Sequence, residues 1–275
     1  MTPIQTVVSP QWLRDNLQSP LVKIIDCRFR LEDSLWGYQQ YLASHVQNAY
    51  YLDLNKDLSS PPQAHGGRHP LPNPYILAQK LEQIGIFKNL TTVVVYDDSR
   101  FAFASRLWWL LRYLGHDKVF ILDGGWQQWQ SHHYPVTSDI PPPGQGHFPV
   151  TVNSHWVVDI HYVKQRLNSP NAVIVDARSP SRYLGQEEPI DPVAGSIPGA
   201  KNIFWQQVTT DTGFLKSTQE LQSLWQPYLD AQEIIVYCGS GVTACVNLMS
   251  LAAIGVHHGK LYPGGWSDWC SYLSP

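Results

Sequence analysis

The sequence is short of charge and short of cysteine, and both shortages narrow what it can be. Charged residues fill 15% of 275 positions, with 19 basic against 22 acidic side chains and a formal net charge of -3. No polybasic run is present, so neither nucleic acid nor an anionic membrane is an expected partner. No window approaches the ~18 apolar residues that a membrane span requires. The opening M-T-P-I-Q-T-V-V-S-P-Q-W lacks the basic and apolar regions of a secretory signal. Four cysteines (Cys27, Cys238, Cys245 and Cys270) are too few for a disulfide framework in a chain of this length, and none pairs as C-x-x-C, which argues against structural zinc. No metal or organic cofactor is expected, and a reduced cytoplasmic protein is the simplest class. Apolar bulk, by contrast, is plentiful. Hydrophobic residues reach 43%, with 11 tryptophans and 14 tyrosines, which is a globular composition with material for two ordinary domains.

The chain is written twice. T-V-V-V-Y-D (Thr92 to Asp97) parallels E-I-I-V-Y-C (Glu233 to Cys238). K-I-I-D-C-R (Lys23 to Arg28) parallels V-I-V-D-A-R (Val173 to Arg178), and H-V-Q-N-A at His45 parallels S-I-P-G-A at Ser196. L-D-G-G-W-Q-Q-W, ending at Trp129, matches Y-P-G-G-W-S-D-W, ending at Trp269. Copies of this size exceed any solenoid unit and read as a duplicated domain. The seam falls in the Pro/Gly-rich S-D-I-P-P-P-G-Q-G-H-F-P. The expected division is residues 1–137, a linker over 138–150, and residues 151–275.

Within each copy short continuous apolar runs alternate with helical patterns. Such runs suit parallel strands buried on both faces. Asn73-Pro74 predicts a capped helix start, Ser217 with Glu220 a capping box, and Gly85 and Gly115 helix ends. Each copy is therefore expected to be α/β, a mainly parallel sheet flanked by helices.

Cys238 stands where an apolar strand ends, and G-S-G-V-T follows it. Sites in open α/β sheets gather at carboxyl ends of strands. The glycines allow the amides of Gly239, Ser240, Gly241, Val242, Thr243 and Ala244 to turn inward as an anion nest. A helix starting near Val242 would point its positive end at the same spot. Both effects favour a reactive thiolate, and the Ser240 and Thr243 hydroxyls add donors. The equivalent position in the first copy is Asp97, followed by D-S-R-F-A-F-A, so only the second copy is expected to carry chemistry. Cys27, Cys245 and Cys270 lack this setting and read as structural. Three chemistries use a thiolate in an amide cradle. A cysteine phosphatase needs an arginine six residues on, where this chain has Ala244. A papain-like protease needs a paired histidine, for which no local signal exists. Sulfur transfer through a persulfide needs only the nest.

Taken together, D-C-R-F, G-R-H-P-L-P, R-L-W-W-L-L-R-Y-L-G-H, L-D-G-G-W, D-A-R-S-P-S-R-Y-L-G, G-S-I-P-G-A-K-N-I and C-G-S-G-V-T-A resemble the two-domain rhodanese-type sulfurtransferases over nearly the whole chain. The resemblance implies tandem rhodanese-like domains, the first inactive and the second carrying the persulfide cysteine. C-G-S-G-V-T is similar to the loop of the 3-mercaptopyruvate branch, whereas thiosulfate enzymes place basic residues after the cysteine. It further implies that Arg182 binds the donor's anionic end and that Ser240 and His69 move a proton. The second arginine of an E-P-R segment is replaced in E-P-I-D (Glu188 to Asp191), and Asn55 stands near the relay's expected acid. Asp57 is a candidate substitute for that acid, and Arg68 for the lost cation. The implied partners are a small sulfur donor, either 3-mercaptopyruvate or thiosulfate, and a thiol, cyanide or thioredoxin-like acceptor. The implied chain works as a monomer. The rival reading of another class is a persulfide carrier that hands sulfur on without turning over a small donor.

Overall fold

The computed structural model describes residues 2–273. The first copy runs β1 (Val7–Val8), α1 (Pro10–Asp15), β2 (Val22–Asp26), α2 (Trp36–Ala43), β3 (His45–Val46), β4 (Ala49–Tyr51), α3 (Pro74–Ile84), β5 (Thr92–Tyr96), α4 (Ala104–Tyr113), β6 (Val119–Leu122), α5 (Gly125–Ser131) and β7 (Val136–Thr137). The second runs α6 (Ile160–Arg166), β8 (Ala172–Asp176), α7 (Pro180–Tyr183), β9 (Lys201–Asn202), α8 (Thr218–Trp225), β10 (Glu233–Tyr237), α9 (Ala244–Ala253), β11 (Gly259–Leu261) and α10 (Gly265–Cys270). The expected local signals set these bounds. Asn73 Oδ1 accepts from the amides of Tyr75 and Ile76 with Pro74 in the first turn, and Gly85 closes α3 in the left-handed region at φ 87°. Ser217 and Glu220 form a reciprocal capping box on α8. Gly115 follows the end of α4 at φ 80°. The helix after Cys238 differs slightly from expectation. It begins at Ala244, because Val242 and Thr243 complete the turn that carries the chain off β10.

Two parallel sheets result. The first has the order β1-β6-β5-β2-β4 and the second β11-β10-β8-β9, with every pairing in both parallel. The counterpart of β1 in the second sheet has shrunk to a single bridge, Val157 to Leu261. Equivalent helices α4 and α9 pack against each other, so one apolar cluster runs from Ile25 and Val95 through Trp108 and Trp109 to Leu248 and Val236. The Pro/Gly-rich connection is irregular but not loose. Val136–Thr137 pairs antiparallel with β3, and Gly144 N–H and Gly146 N–H donate to the Gln83 and Glu82 carbonyls at the end of α3.

The same polar frame is built twice. Asp26 and Asp176 each hold the arginine two residues on, Arg28 at 2.6 Å and Arg178 at 2.7 Å, with the side chains almost fully buried. The arginines then donate to Ser44 O and Gly195 O and lie over the rings of Trp126 and Trp266. The amides of those two tryptophans donate to the carbonyls of Asp97 and Cys238, both at 2.8 Å. Each D-x-R motif thereby steadies the G-G-W helix that grips the strand end. The glycine before each tryptophan makes the grip possible. Gly125 and Gly265 have φ of 59° and 61°, and a Cβ would lie 2.4 Å from Asp97 O and 2.5 Å from Cys238 O.

Gly125→Ala and Gly265→Ala should therefore each lower stability by at least about 1–2 kcal/mol in urea unfolding, from the left-handed backbone alone. Only Gly265→Ala should also alter the alkylation rate of Cys238. Equal alkylation rates in the two variants would show that the grip on Cys238 does not matter to the thiol.

Candidate active site

Cys238 follows β10 and lines a cleft of about 650 Å³ between the two copies. Its surroundings come from three directions. From behind, α10 takes the loop's first two carbonyls: Trp266 N–H donates to Cys238 O at 2.8 Å and Ser267 N–H to Gly239 O at 2.9 Å. A third, Gly241 O, accepts from Arg106 Nη1 at 2.9 Å. With those oxygens drawn away, none of the N–H groups of residues 239–243 donates to a backbone carbonyl among the described residues. Gly241 has φ 73°, and a Cβ there would meet Pro263 O at 2.4 Å, so the turn is tight and glycine-dependent.

The first copy shows what such a loop does with an anion. Asp97, at the position of Cys238, is 1% exposed. Its carboxylate accepts from the amides of Ser99, Phe101, Phe103 and Ala104 at 2.8 to 3.0 Å. Burial pushes this carboxyl above its usual value although the amides of Ala104, Ser99 and Phe103 oppose the shift. The first copy thus has an amide nest and fills it with its own side chain.

From the first copy, the segment after Asp53 crosses to the second. Gly66 N–H donates to Asp268 Oδ1 at 2.7 Å, and His65 stacks on Tyr272. This brings Arg68 and His69 to the thiol. His69 Nδ1 lies 2.7 Å from Ser240 Oγ, and both residues are buried. Burial first, then the charges of Arg106 and Arg68, push His69 down to about 4, so it is neutral at physiological pH. Among the described residues no acid hydrogen-bonds the His69 ring to complete a relay. Asp57 does not serve as the substitute acid, because its carboxylate is engaged by Lys80 Nζ and by Asp53 N–H. Asn55 lies in the same turn, its amide held by Asp53 Oδ1.

On the open side, Arg182 and Arg68 converge over Gly239. A Cβ on Gly239 would lie 2.9 Å from Arg68 Nη2 and 3.6 Å from Arg182 Nη2. The E-P-I-D segment holds both cations. Arg182 donates to Glu188 at 2.6 Å and reaches Asp191 at 3.3 Å, and Arg68 pairs with the other oxygen of Asp191. Glu188 also pairs with Arg178 at 3.0 Å. Val242 and Thr243 line the cleft wall, while Ala244 is fully buried as the first residue of α9.

The expected residues therefore converge: Cys238, Ser240, His69, Arg68, Arg182 and the glycine loop share one cleft. Sequence reasoning gave no role to Arg106, Glu188 or Asp191. The available signal for Arg106 was a charge amid the apolar R-L-W-W-L-L of α4. Burial pushes Cys27 far above its usual value, Cys245 to about 12, and Cys270 upward.

Comparisons with known proteins agree with this geometry. A family model for the rhodanese-like domain matches residues 9–132 and again 159–272. A Pseudomonas aeruginosa protein described as "Probable 3-mercaptopyruvate sulfurtransferase" is 39% identical over 269 residues, covering 96% of this chain and 94% of the relative. The 3-mercaptopyruvate sulfurtransferase of Escherichia coli is 33% identical, covering 95% and 94%. The thiosulfate sulfurtransferase of Rattus norvegicus is 31% identical, covering 98% and 94%. The crystal structure of SseA from Escherichia coli, a 3-mercaptopyruvate sulfotransferase of the rhodanese fold, matches with a TM-score of 0.83 at 32% identity, over 96% of this chain and 100% of that one. This chain belongs to the rhodanese-like domain family, as two tandem copies. Within that family it is an enzyme of the sulfurtransferase class.

Two outcomes follow from the site. Cys238 is only 2% exposed, like Cys27, but it alone of the four thiols lines the cleft. Limiting iodoacetamide should therefore label Cys238 ahead of Cys27, Cys245 and Cys270 in the native protein, read by peptide mapping; earlier label on any of the other three would contradict that placement. The second concerns His69. An unfolded histidine titrates near about 6.5, so the unfolded chain binds the extra proton first as pH falls. The stability tied to neutral His69 is fully present above pH ~6.5 and is lost as pH falls towards 4. A shift of that size corresponds to about 3 kcal/mol. His69→Gln should flatten this acid limb in urea unfolding between pH 7 and 4.5, and an unchanged slope would refute the assignment.

Proposed function

We propose that Cys238 is the nucleophile of a ping-pong sulfur transfer whose preferred donor is 3-mercaptopyruvate. The thiolate attacks the donor sulfur and the carbon–sulfur bond breaks. Its electron pair goes to carbon as pyruvate enolate. The proton of the donor thiol ends on that carbon, and a persulfide anion remains on Cys238. In the second half an acceptor thiolate attacks the outer sulfur, takes it, and releases the Cys238 thiolate. The amides of residues 239–244 hold the anionic sulfur, and Arg182 and Arg68 orient the donor carboxylate.

The observation that carries the donor preference is the Ser240–His69 pair at 2.7 Å. Cleaving carbon–sulfur requires a proton to reach carbon, and a neutral imidazole bonded to a hydroxyl can move one. Thiosulfate releases sulfite without any proton transfer, so this pair would be idle with it. Charge supports the same choice. The groups around the donor end, Arg178, Arg182 and Arg68 against Asp176, Glu188 and Asp191, sum to zero. A dianion gains less from such a site than from one with uncompensated cations. Thiosulfate remains the alternative donor, in keeping with the rat relative. A cysteine phosphatase is disfavoured by the buried Ala244 where its arginine would stand. A non-turnover persulfide carrier would have no use for the relay.

The reading extends to the acceptor, a small thiol, cyanide or a reduced thioredoxin-like protein, and to a chain that works as a monomer in the cytoplasm. One chain contributes every group named at the site. Among the described residues no helix is long and apolar enough to cross a membrane.

Steady-state turnover with each donor, followed as pyruvate and as sulfite, tests the proposal. Mercaptopyruvate should be preferred at least tenfold in kcat/KM, and Cys238→Ser should fall to background with both. His69→Asn and Ser240→Ala should cost about 10²-fold with mercaptopyruvate, the usual scale of a lost proton transfer, and little with thiosulfate. Equal losses with the two donors would remove the relay from the mechanism. Persistent transfer by Cys238→Ser would remove Cys238.

A further inference from the structure

Arg106 is the least expected group near the thiol. It lies on α4, in the copy that has no nucleophile, and is 0% exposed. Its neighbours on that helix, Leu107, Trp108, Trp109, Leu110 and Leu111, are apolar and buried. No carboxylate pairs with it among the described residues. Instead its guanidinium is shared among carbonyls of three segments: Gly241 O at 2.9 Å, His69 O at 3.0 Å, Pro70 O at 3.4 Å, and Leu58 O at 3.3 Å from Nη2 and 3.4 Å from Nε. The Cys245 thiol contacts the same Gly241 carbonyl at 3.4 Å.

A buried charge without a counter-ion is costly, and carbonyl dipoles alone compensate it incompletely. If Arg106 only filled space between α4 and the second copy, an apolar residue would serve better. The partners it holds are informative. His69 O and Gly241 O belong to the two halves of the proposed relay, one on each copy. A single planar fork fixes the segment carrying His69 relative to the loop carrying Ser240. Drawing Gly241 O towards α4 also holds the loop's peptides with their amides free.

We infer that Arg106 is a positioning residue for sulfur transfer: from the inactive copy it locks His69 to the Cys238 loop and puts a fixed positive charge behind that loop. The inference rests on the proposed nucleophile and relay. It also locates a cation that the loop itself lacks, since G-S-G-V-T contains no basic residue. The charged groups facing His69 are Arg106 from α4 and the adjacent Arg68, and both act on its titration in the same direction.

The test uses Arg106→Lys, Arg106→Gln and Arg106→Met in the full chain, with unfolding curves to establish that each folds. Persulfide formation is followed in single turnover with mercaptopyruvate and with thiosulfate, and the imidazole titration of His69 by NMR, assigned by difference with His69→Gln. Arg106→Gln should slow persulfide formation from mercaptopyruvate at least tenfold, leave the donor KM within threefold, and move the His69 midpoint up by about half a unit or more. Arg106→Lys should keep the His69 midpoint but recover the rate only in part, because one ammonium cannot hold both carbonyls in the fork geometry. Unchanged rate and midpoint in Arg106→Gln would overturn the inference, as would full rescue of the rate by lysine. Should Arg106→Met fail to fold, the glutamine and lysine variants still decide. If the wild type does not use mercaptopyruvate, the donor assignment fails, while the thiosulfate half-reaction and the His69 titration still report on Arg106.

Discussion

The site depends on one backbone hydrogen bond, from Trp266 N–H to the carbonyl of Cys238. A strand that ends in a catalytic turn must send each peptide's oxygen one way and its hydrogen the other. By capturing the oxygens of Cys238 and Gly239, the first turn of α10 settles that choice for these two peptides, and the loop's amides are left without backbone carbonyl partners among the described residues. The glycine at position 265 follows, since a side chain there would collide with the captured carbonyl. So does the buried Asp176–Arg178 pair, whose guanidinium supports the Trp266 ring. Motifs separated by about ninety residues are thus parts of one clamp.

Duplication turns that clamp into an internal comparison. Both copies have the clamp, the D-x-R pair and the tight glycine, yet the cradled groups differ. Asp97 satisfies four amides permanently, which makes the first copy's nest a structural cap. In the second loop the N–H groups of residues 239–243 have no backbone carbonyl partner among the described residues. The first copy also reaches the second: it sends Arg68 and His69 across on one segment and Arg106 through α4. The first copy therefore forms part of the cleft wall, and the two copies share one apolar cluster with the cleft between them.

Much of this was legible beforehand because it is periodic or local. Parallel strands, caps and the strand-end cysteine depend on short spacings, and the duplication displayed them twice. The helix start was displaced by two residues because turn geometry, not propensity, determines where α9 begins. Asp57 looked like a substitute acid only because it stands two residues from Asn55, near the place where the family's acid is expected. Lys80, twenty-three residues further on, captures it in space. Arg106 and Asp191 were illegible for a related reason. Each is defined by partners on another segment, 135 residues away for Gly241 and 123 for Arg68. No pattern along the chain records such a meeting.

The E-P-I-D segment shows how a departure from a family motif is compensated in space. Where an arginine is expected, Ile190 occupies the cleft wall and Asp191 turns inward. The result is an alternating ladder: Asp176, Arg178, Glu188, Arg182, Asp191, and finally Arg68 from the other copy. Each rung positions the next, so Arg182 is fixed without a free search among rotamers. The cost is attraction, since every cation of the ladder already has an anion beside it. A donor carboxylate must then be recognised by geometry, accepting hydrogen bonds from the guanidinium edges that the ladder leaves open, and not by bulk charge. Under the proposed function, recognition of that kind suits the single carboxylate of mercaptopyruvate better than a compact dianion.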